Sequence, residues 1–102
     1  MITRIVKMTF RKEETEAFEK LFQERKDNIA AFDGCQGVEL LAETTPSPKG
    51  SVYFTRSIWM NEESLNNYRK SELFKDTWTK TKALFADKPK AWSTKIVESK
   101  FE

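Results

Sequence analysis

Hydrophobic and polar positions change period several times along the chain. In Ile2–Phe10, Ile2, Val6, Met8 and Phe10 fall on one side and Thr3, Ile5, Lys7 and Thr9 on the other, the alternation of a strand. Phe18, Leu21, Phe22, Ile29 and Phe32 then recur at helical steps behind the acidic run Glu13, Glu14 and Glu16, which complements a helix N-terminus; Asp33-Gly34 ends that helix. Residues 38–43 read as a second strand. Thr45-Pro46-Ser47-Pro48-Lys49-Gly50 is too rigid and too poor in amide donors to pair, so it predicts a long hairpin loop into a third strand over 51–59, rich in β-branched and aromatic residues. Asn61 and Ser71 sit where helix caps belong, and Leu65, Leu73, Phe74, Thr77, Trp78, Leu84 and Phe85 carry an apolar stripe through two short helices. Pro89 halts them, and residues 91–99 alternate again as a fourth strand.

The order strand, helix, strand, strand, helix, strand in about 100 residues predicts a ferredoxin-like α+β fold: a four-stranded antiparallel sheet with its helices on one face, a single domain over 1–102. The other face is then expected to carry Ile5, Leu41, Tyr53, Trp59 and Val97 with Thr3, Thr55 and Lys95. So apolar a surface calls for a cover, and a homodimer through the sheet face supplies it. By the same alternation, Arg4 falls with Val6 and Met8, and Arg56 with Phe54 and Ile58, both toward the helices.

Composition narrows the chemistry. The 102 residues carry 18 basic and 16 acidic side chains, a net charge of +2, with residues 1–68 slightly acidic and the remainder basic. Lysines interleaved with Asp76 and Asp87 make a solvated helix face rather than the basic stripe of a nucleic-acid binder. No run approaches a membrane span, and the lone Cys35 forms no internal disulfide, so a reducing, cytoplasmic setting is expected. The chain has no histidine. Ser-His and Cys-His nucleophile systems, His-ligated metals and a proximal-His haem are thereby excluded.

The element order, the Gly34-Cys35-Gln36-Gly37 turn and the run Trp59, Glu63, Leu65, Tyr68, Ser71, Phe74 resemble the antibiotic biosynthesis monooxygenase domains of the dimeric α+β barrel superfamily. The resemblance implies a dimeric barrel with a pocket between sheet and helices in each subunit. It also implies oxygen insertion into a phenol or quinol without metal, flavin or other cofactor, the deprotonated substrate being itself the electron donor to oxygen. The chain departs from the haem-degrading branch: Trp78 stands where that branch has its axial histidine, and the first strand holds no asparagine.

Candidate site residues follow. Arg4 and Arg56 are expected to bind a phenolate, carboxylate or quinone oxygen, or else to reach solvent at the strand ends or pair with Glu39, Glu43 or Glu98. Trp59, Tyr68, Trp78 and Trp92 either line a flat aromatic cavity, with the Tyr68 hydroxyl handling a proton, or pack as plain core. Asn66 and Asn67 are polar anchors or helix surface. The expected function is a cofactor-independent monooxygenase acting on a small aromatic or quinol ligand; the competing class is a non-catalytic dimer that binds or senses a small aromatic or anionic ligand.

Overall fold

The structure, a computed structural model, describes residues 1–101. Its elements are β1 (Ile2–Phe10), a 3-10 turn (Lys12–Glu14), α1 (Thr15–Ala30), β2 (Cys35–Ala42), β3 (Ser51–Trp59), α2 (Glu62–Arg69), α3 (Glu72–Lys82) and β4 (Lys90–Thr94). All strand pairs are antiparallel, in the order β2-β3-β1-β4. This is the ferredoxin-like arrangement that the sequence predicts, with β1 and β3 as neighbours at the centre.

Directly opposed residues of an antiparallel pair share a face. Met8 opposes Tyr53, Val6 opposes Thr55, Arg4 opposes Ser57 and Ile2 opposes Trp59. The odd-numbered residues of β3 therefore turn toward the helices, and Phe54, Arg56 and Ile58 turn away. This corrects the expected parity of β3: Tyr53, Thr55 and Trp59 belong to the helix side, and Arg56 to the open side with Glu39, its register partner. Alternation alone misleads here because β3 is apolar on both parities, Val52, Phe54 and Ile58 on one and Tyr53 and Trp59 on the other. Packing against the helices decides it. Trp59 and Phe10 are wholly buried, and Met8, Phe10, Phe18 and Tyr53 form the core cluster. Truncating a buried aromatic of this kind costs roughly 3–5 kcal/mol.

Strand β4 is also shorter than expected. Its register pairs Thr94 with Thr3, so only Ile2 is left as a partner for a continuation; the strand ends at Thr94, and Lys95 and Val97 lie outside the sheet. The open face keeps Ile5, Leu41, Phe54, Ile58 and Trp92, of which Leu41 and Trp92 are about half exposed, at 44% and 46%.

Two caps hold the helical layer in register with the sheet. Asn61 Oδ1 accepts from the Ser64 amide at 2.8 Å, and Ser71 Oγ accepts from the Phe74 amide at 3.1 Å while donating to the Tyr68 carbonyl at 2.6 Å. Ser71 thus ends α2 and starts α3 in one residue, so the two helices can tilt independently around Lys70. The turn before β2 is tied to α2 through Gly34, whose φ is +88° and whose carbonyl accepts from the Met60 amide at 2.8 Å. A Cβ there would run into the Ser64 side chain, both its Cβ and its Oγ. Gly34→Ala should therefore cost about 2 kcal/mol or more in urea denaturation, strained backbone and clash acting together. A loss below about 0.5 kcal/mol, the range of an ordinary surface substitution, would mean that α2 does not rest on this turn.

Candidate functional site

Sheet and helices do not close completely on one another. Between them lies a cavity of about 300 Å³. Its floor is Val6 and Met8 of β1, Val38 of β2 and Thr55 and Ser57 of β3; its walls are Phe18, Leu21, Phe22 and Ile29 of α1, Leu65 and Tyr68 of α2, and Phe74, Thr77, Trp78 and Thr81 of α3. The lining is apolar over most of its area, with polar groups few and localised, as in small-ligand sites generally. Arg4, Arg25, Arg69 and Lys90 border it, and among the described residues no carboxylate does.

The expected site residues separate into two groups. Arg4, Tyr68 and Trp78 come together around the cavity. Trp59 is not part of the lining; it lies behind Tyr68, ring stacked on ring at 4.9 Å between centroids, with its Nε1 donating to Ser57 Oγ at 2.9 Å. Arg56 is on the opposite face of the sheet, 2.5 Å from Glu39 Oε2, which corrects the expectation that it enters the helix-side layer. Trp92, paired opposite Ile5, is on that opposite face too. Asn66 and Asn67 are exposed, and Asn66 borders only an adjoining depression that it shares with Ile2, Glu62, Arg69, Ser93, Thr94 and Lys95.

Tyr68 is the most constrained polar group of the cavity. Trp59 stacks on it, and Phe32 and Phe74 meet it edge-on at 5.4 Å and 5.3 Å. Phe32, counted into the first helix by spacing, lies just beyond the end of α1 and still faces inward. Three rings leave the phenol ring little freedom. Among the described residues no protein group hydrogen-bonds that hydroxyl. Burial, helped by nearby Cys35, pushes the Tyr68 phenol up from 10.0 to about 12. Burial likewise raises the Cys35 thiol, which disfavours a reactive thiolate at neutral pH.

Arg4 is held below its ordinary guanidinium value, first by burial and then by the charge of Arg69. Arg25 differs: its Nη1 is 2.7 Å from Asp76 Oδ2 and 3.2 Å from Thr77 Oγ1, so it clamps α1 to α3. Sequence reasoning missed Arg69, although Leu65, Tyr68 and Arg69 stand three and four residues apart, the spacing that puts them on one helix face.

The sequence profile described as antibiotic biosynthesis monooxygenase matches residues 1–80. No protein of curated function matches the chain by sequence. Among solved structures it is similar to a candidate antibiotic biosynthesis monooxygenase from Deinococcus radiodurans, at 12% identity and a TM-score of 0.85 over 100% of this chain and 98% of that one. It is similar to SnoaB, a cofactor-independent oxygenase from Streptomyces nogalater, at 17% identity and a TM-score of 0.78 over 96% and 94%. Rv0793 from Mycobacterium tuberculosis aligns at 15% identity and a TM-score of 0.79 over 96% of each chain. At such identities structural likeness shows the fold alone. With a profile match across 1–80 and the sheet and helices arranged as in these proteins, the chain belongs to the antibiotic biosynthesis monooxygenase family.

Proposed function

We propose that the protein is a cofactor-independent monooxygenase that inserts one oxygen atom into a small phenol or quinol held in the cavity between sheet and helices. The observation that supports this most is a closed aromatic seat for Tyr68 at the wall of an apolar cavity, in a chain whose family includes oxygenases by name. SnoaB is a cofactor-independent oxygenase on the same fold. A substrate anion gives an electron to dioxygen, the two radicals join as a peroxide anion at a ring carbon bearing hydrogen, the proton released when the substrate ionised returns to make the hydroperoxide, and loss of water, taking the ring hydrogen, leaves a carbonyl. An apolar surround favours the first step by stripping water from the anion.

Tyr68 fits one part of this sequence. With its pKa near 12 the phenol is neutral at physiological pH, so it is a donor and a poor base. Its proton stabilises the developing peroxide oxygen and is available when water leaves. Trp78 serves as an apolar wall for the ring, and Trp59 fixes Tyr68 from behind without touching the ligand. A second reading, a dimer that binds an aromatic ligand without turnover, is favoured by the absence of any carboxylate from the cavity lining among the described residues, which leaves the substrate no carboxylate base there.

We assign the open sheet face, with Leu41, Phe54, Ile58 and Trp92, to a twofold contact with a second copy, the arrangement in which an apolar surface is covered by its like. The setting is cytoplasmic in this reading; among the described residues no helix is long and apolar enough to cross a membrane.

Three measurements check these assignments. Oxygen uptake with a panel of hydroquinones should fall roughly 100-fold in kcat for Tyr68→Phe with KM little changed; uptake by no panel member would leave the binder reading. Both tyrosines, Tyr53 and Tyr68, are raised to about 12, Tyr53 by burial and then by its hydrogen bond to Glu19. Because the folded values exceed the unfolded value of 10, the stabilisation is whole below about pH 10 and disappears as pH rises through about 12. Tyrosinate absorbance should thus be absent at pH 10 in the folded protein and present in urea; a folded signal at pH 10 that is lost in Tyr68→Phe would contradict the burial of Tyr68. Light scattering at micromolar concentration should give a dimer, reduced to monomer by Leu41→Glu/Trp92→Glu, both sites being exposed in the single chain; a wild-type monomer would refute the twofold contact.

A further inference from the structure

The guanidiniums that border the cavity are not equivalent. Arg25 is neutralised by Asp76. Arg4 and Arg69 meet no carboxylate among the described residues. Arg4 Nη1 donates to Ser93 Oγ at 2.9 Å, a neutral partner that leaves its charge unbalanced. Arg69 occupies the seam where the cavity and the adjoining depression share a wall, and Lys95 adds a further cation there.

Arg69 alone has an ordinary explanation, since it lies in the last turn of α2, where a cation complements the helix dipole. Arg4 has none. It is a residue of a central strand, on the helix side, and the helix-side layer of a sheet rarely holds an unpaired guanidinium. The nearest acidic side chain of the depression, Glu62, is in the first turn of α2, about two turns from Arg69, and pairs with neither arginine. Two like charges at one rim of an apolar hollow repel each other, and an anion between them relieves both. Two planar donor groups match the two oxygens of a carboxylate.

We propose that the cavity takes an aromatic carboxylate, its ring against Val6, Met8 and Trp78 and its carboxylate held by Arg4 and Arg69. This deepens the oxygenase reading, from which it takes the aromatic character of the ligand, and adds an anionic handle that fixes which ring carbon faces Tyr68. A volume of about 300 Å³ is at the small end for ligand sites and suits one or two fused rings rather than an extended polycycle.

Calorimetric titration of 2-naphthoate against its neutral isostere 2-naphthamide tests the handle directly. The carboxylate should bind at least about tenfold more tightly, and added salt should weaken it alone. Arg4→Met and Arg69→Met should each remove most of that preference while leaving naphthamide binding within about twofold; Lys75→Met, an exposed charge on α3 outside the lining, should change neither. Should Arg4→Met lower the melting temperature, Arg4→Lys and Arg69→Met carry the comparison. Equal affinity for the two ligands, binding of neither, or a preference that survives in the Arg4→Met/Arg69→Met pair would overturn the proposal. The test needs no turnover, so a carboxylate preference without oxygen uptake sinks the oxygenase reading alone, and uptake of neutral quinols without the preference sinks this one alone.

Discussion

Trp59 is the residue on which the helix-side layer depends. Its side chain is completely buried, pinned at one end by the Nε1 bond to Ser57 and covered on its face by Tyr68. Once that indole enters the helix side, the pleat of β3 is settled for every other residue, because a strand cannot turn one side chain over without turning all of them. Ser57, Thr55 and Tyr53 follow it inward. Arg56, Phe54 and Ile58 go outward.

The consequence for the site is a separation of charge. Arg56 leaves the cavity side and finds Glu39 across the strand, while Arg4, on β1, stays at the cavity border with a serine for partner. The same pleat puts two small polar groups, Thr55 and Ser57, on the cavity floor where larger side chains would fill it. Small residues on the floor and a bent pair of helices above leave the hollow open. The bend comes from Ser71, whose hydroxyl serves both helices at once. Without that break a single long helix would carry Leu65 and Trp78 along one straight stripe, with no arch between them.

Electrostatics inside the hollow are one-sided. The phenol is held neutral by burial, carboxylates are absent from the lining among the described residues, and the charges present are three guanidiniums, one of them already paired, and the Lys90 ammonium. Such a cavity rejects cations and stabilises negative charge that arrives with a ligand or forms on it. In a surround of low dielectric that stabilisation is stronger than the same groups would give in water. The twofold contact through the opposite face, if formed, would leave this electrostatic arrangement untouched, since the sheet stands between them.

Much of this was legible in the sequence. The six-element order, the caps at Asn61 and Ser71, the turn at Gly34 and the helix-side placing of Arg4, Val6 and Met8 all follow from local rules, since periodicity, capping and glycine geometry act within a few residues. The family was legible too, because its run from Trp59 to Phe74 is spaced by the same local constraints. What needed the tertiary structure were the choices between locally equal alternatives. β3 is apolar on both parities, so only the burial of Trp59 against Tyr68 and Phe32 could choose its inward face. β4 alternates beyond Thr94, but a strand lasts only while its neighbour does, and β1 begins at Ile2. Arg69 reads as an ordinary helix-end cation until β1 brings Arg4 to the same rim, a meeting of residues far apart in sequence that no local pattern encodes.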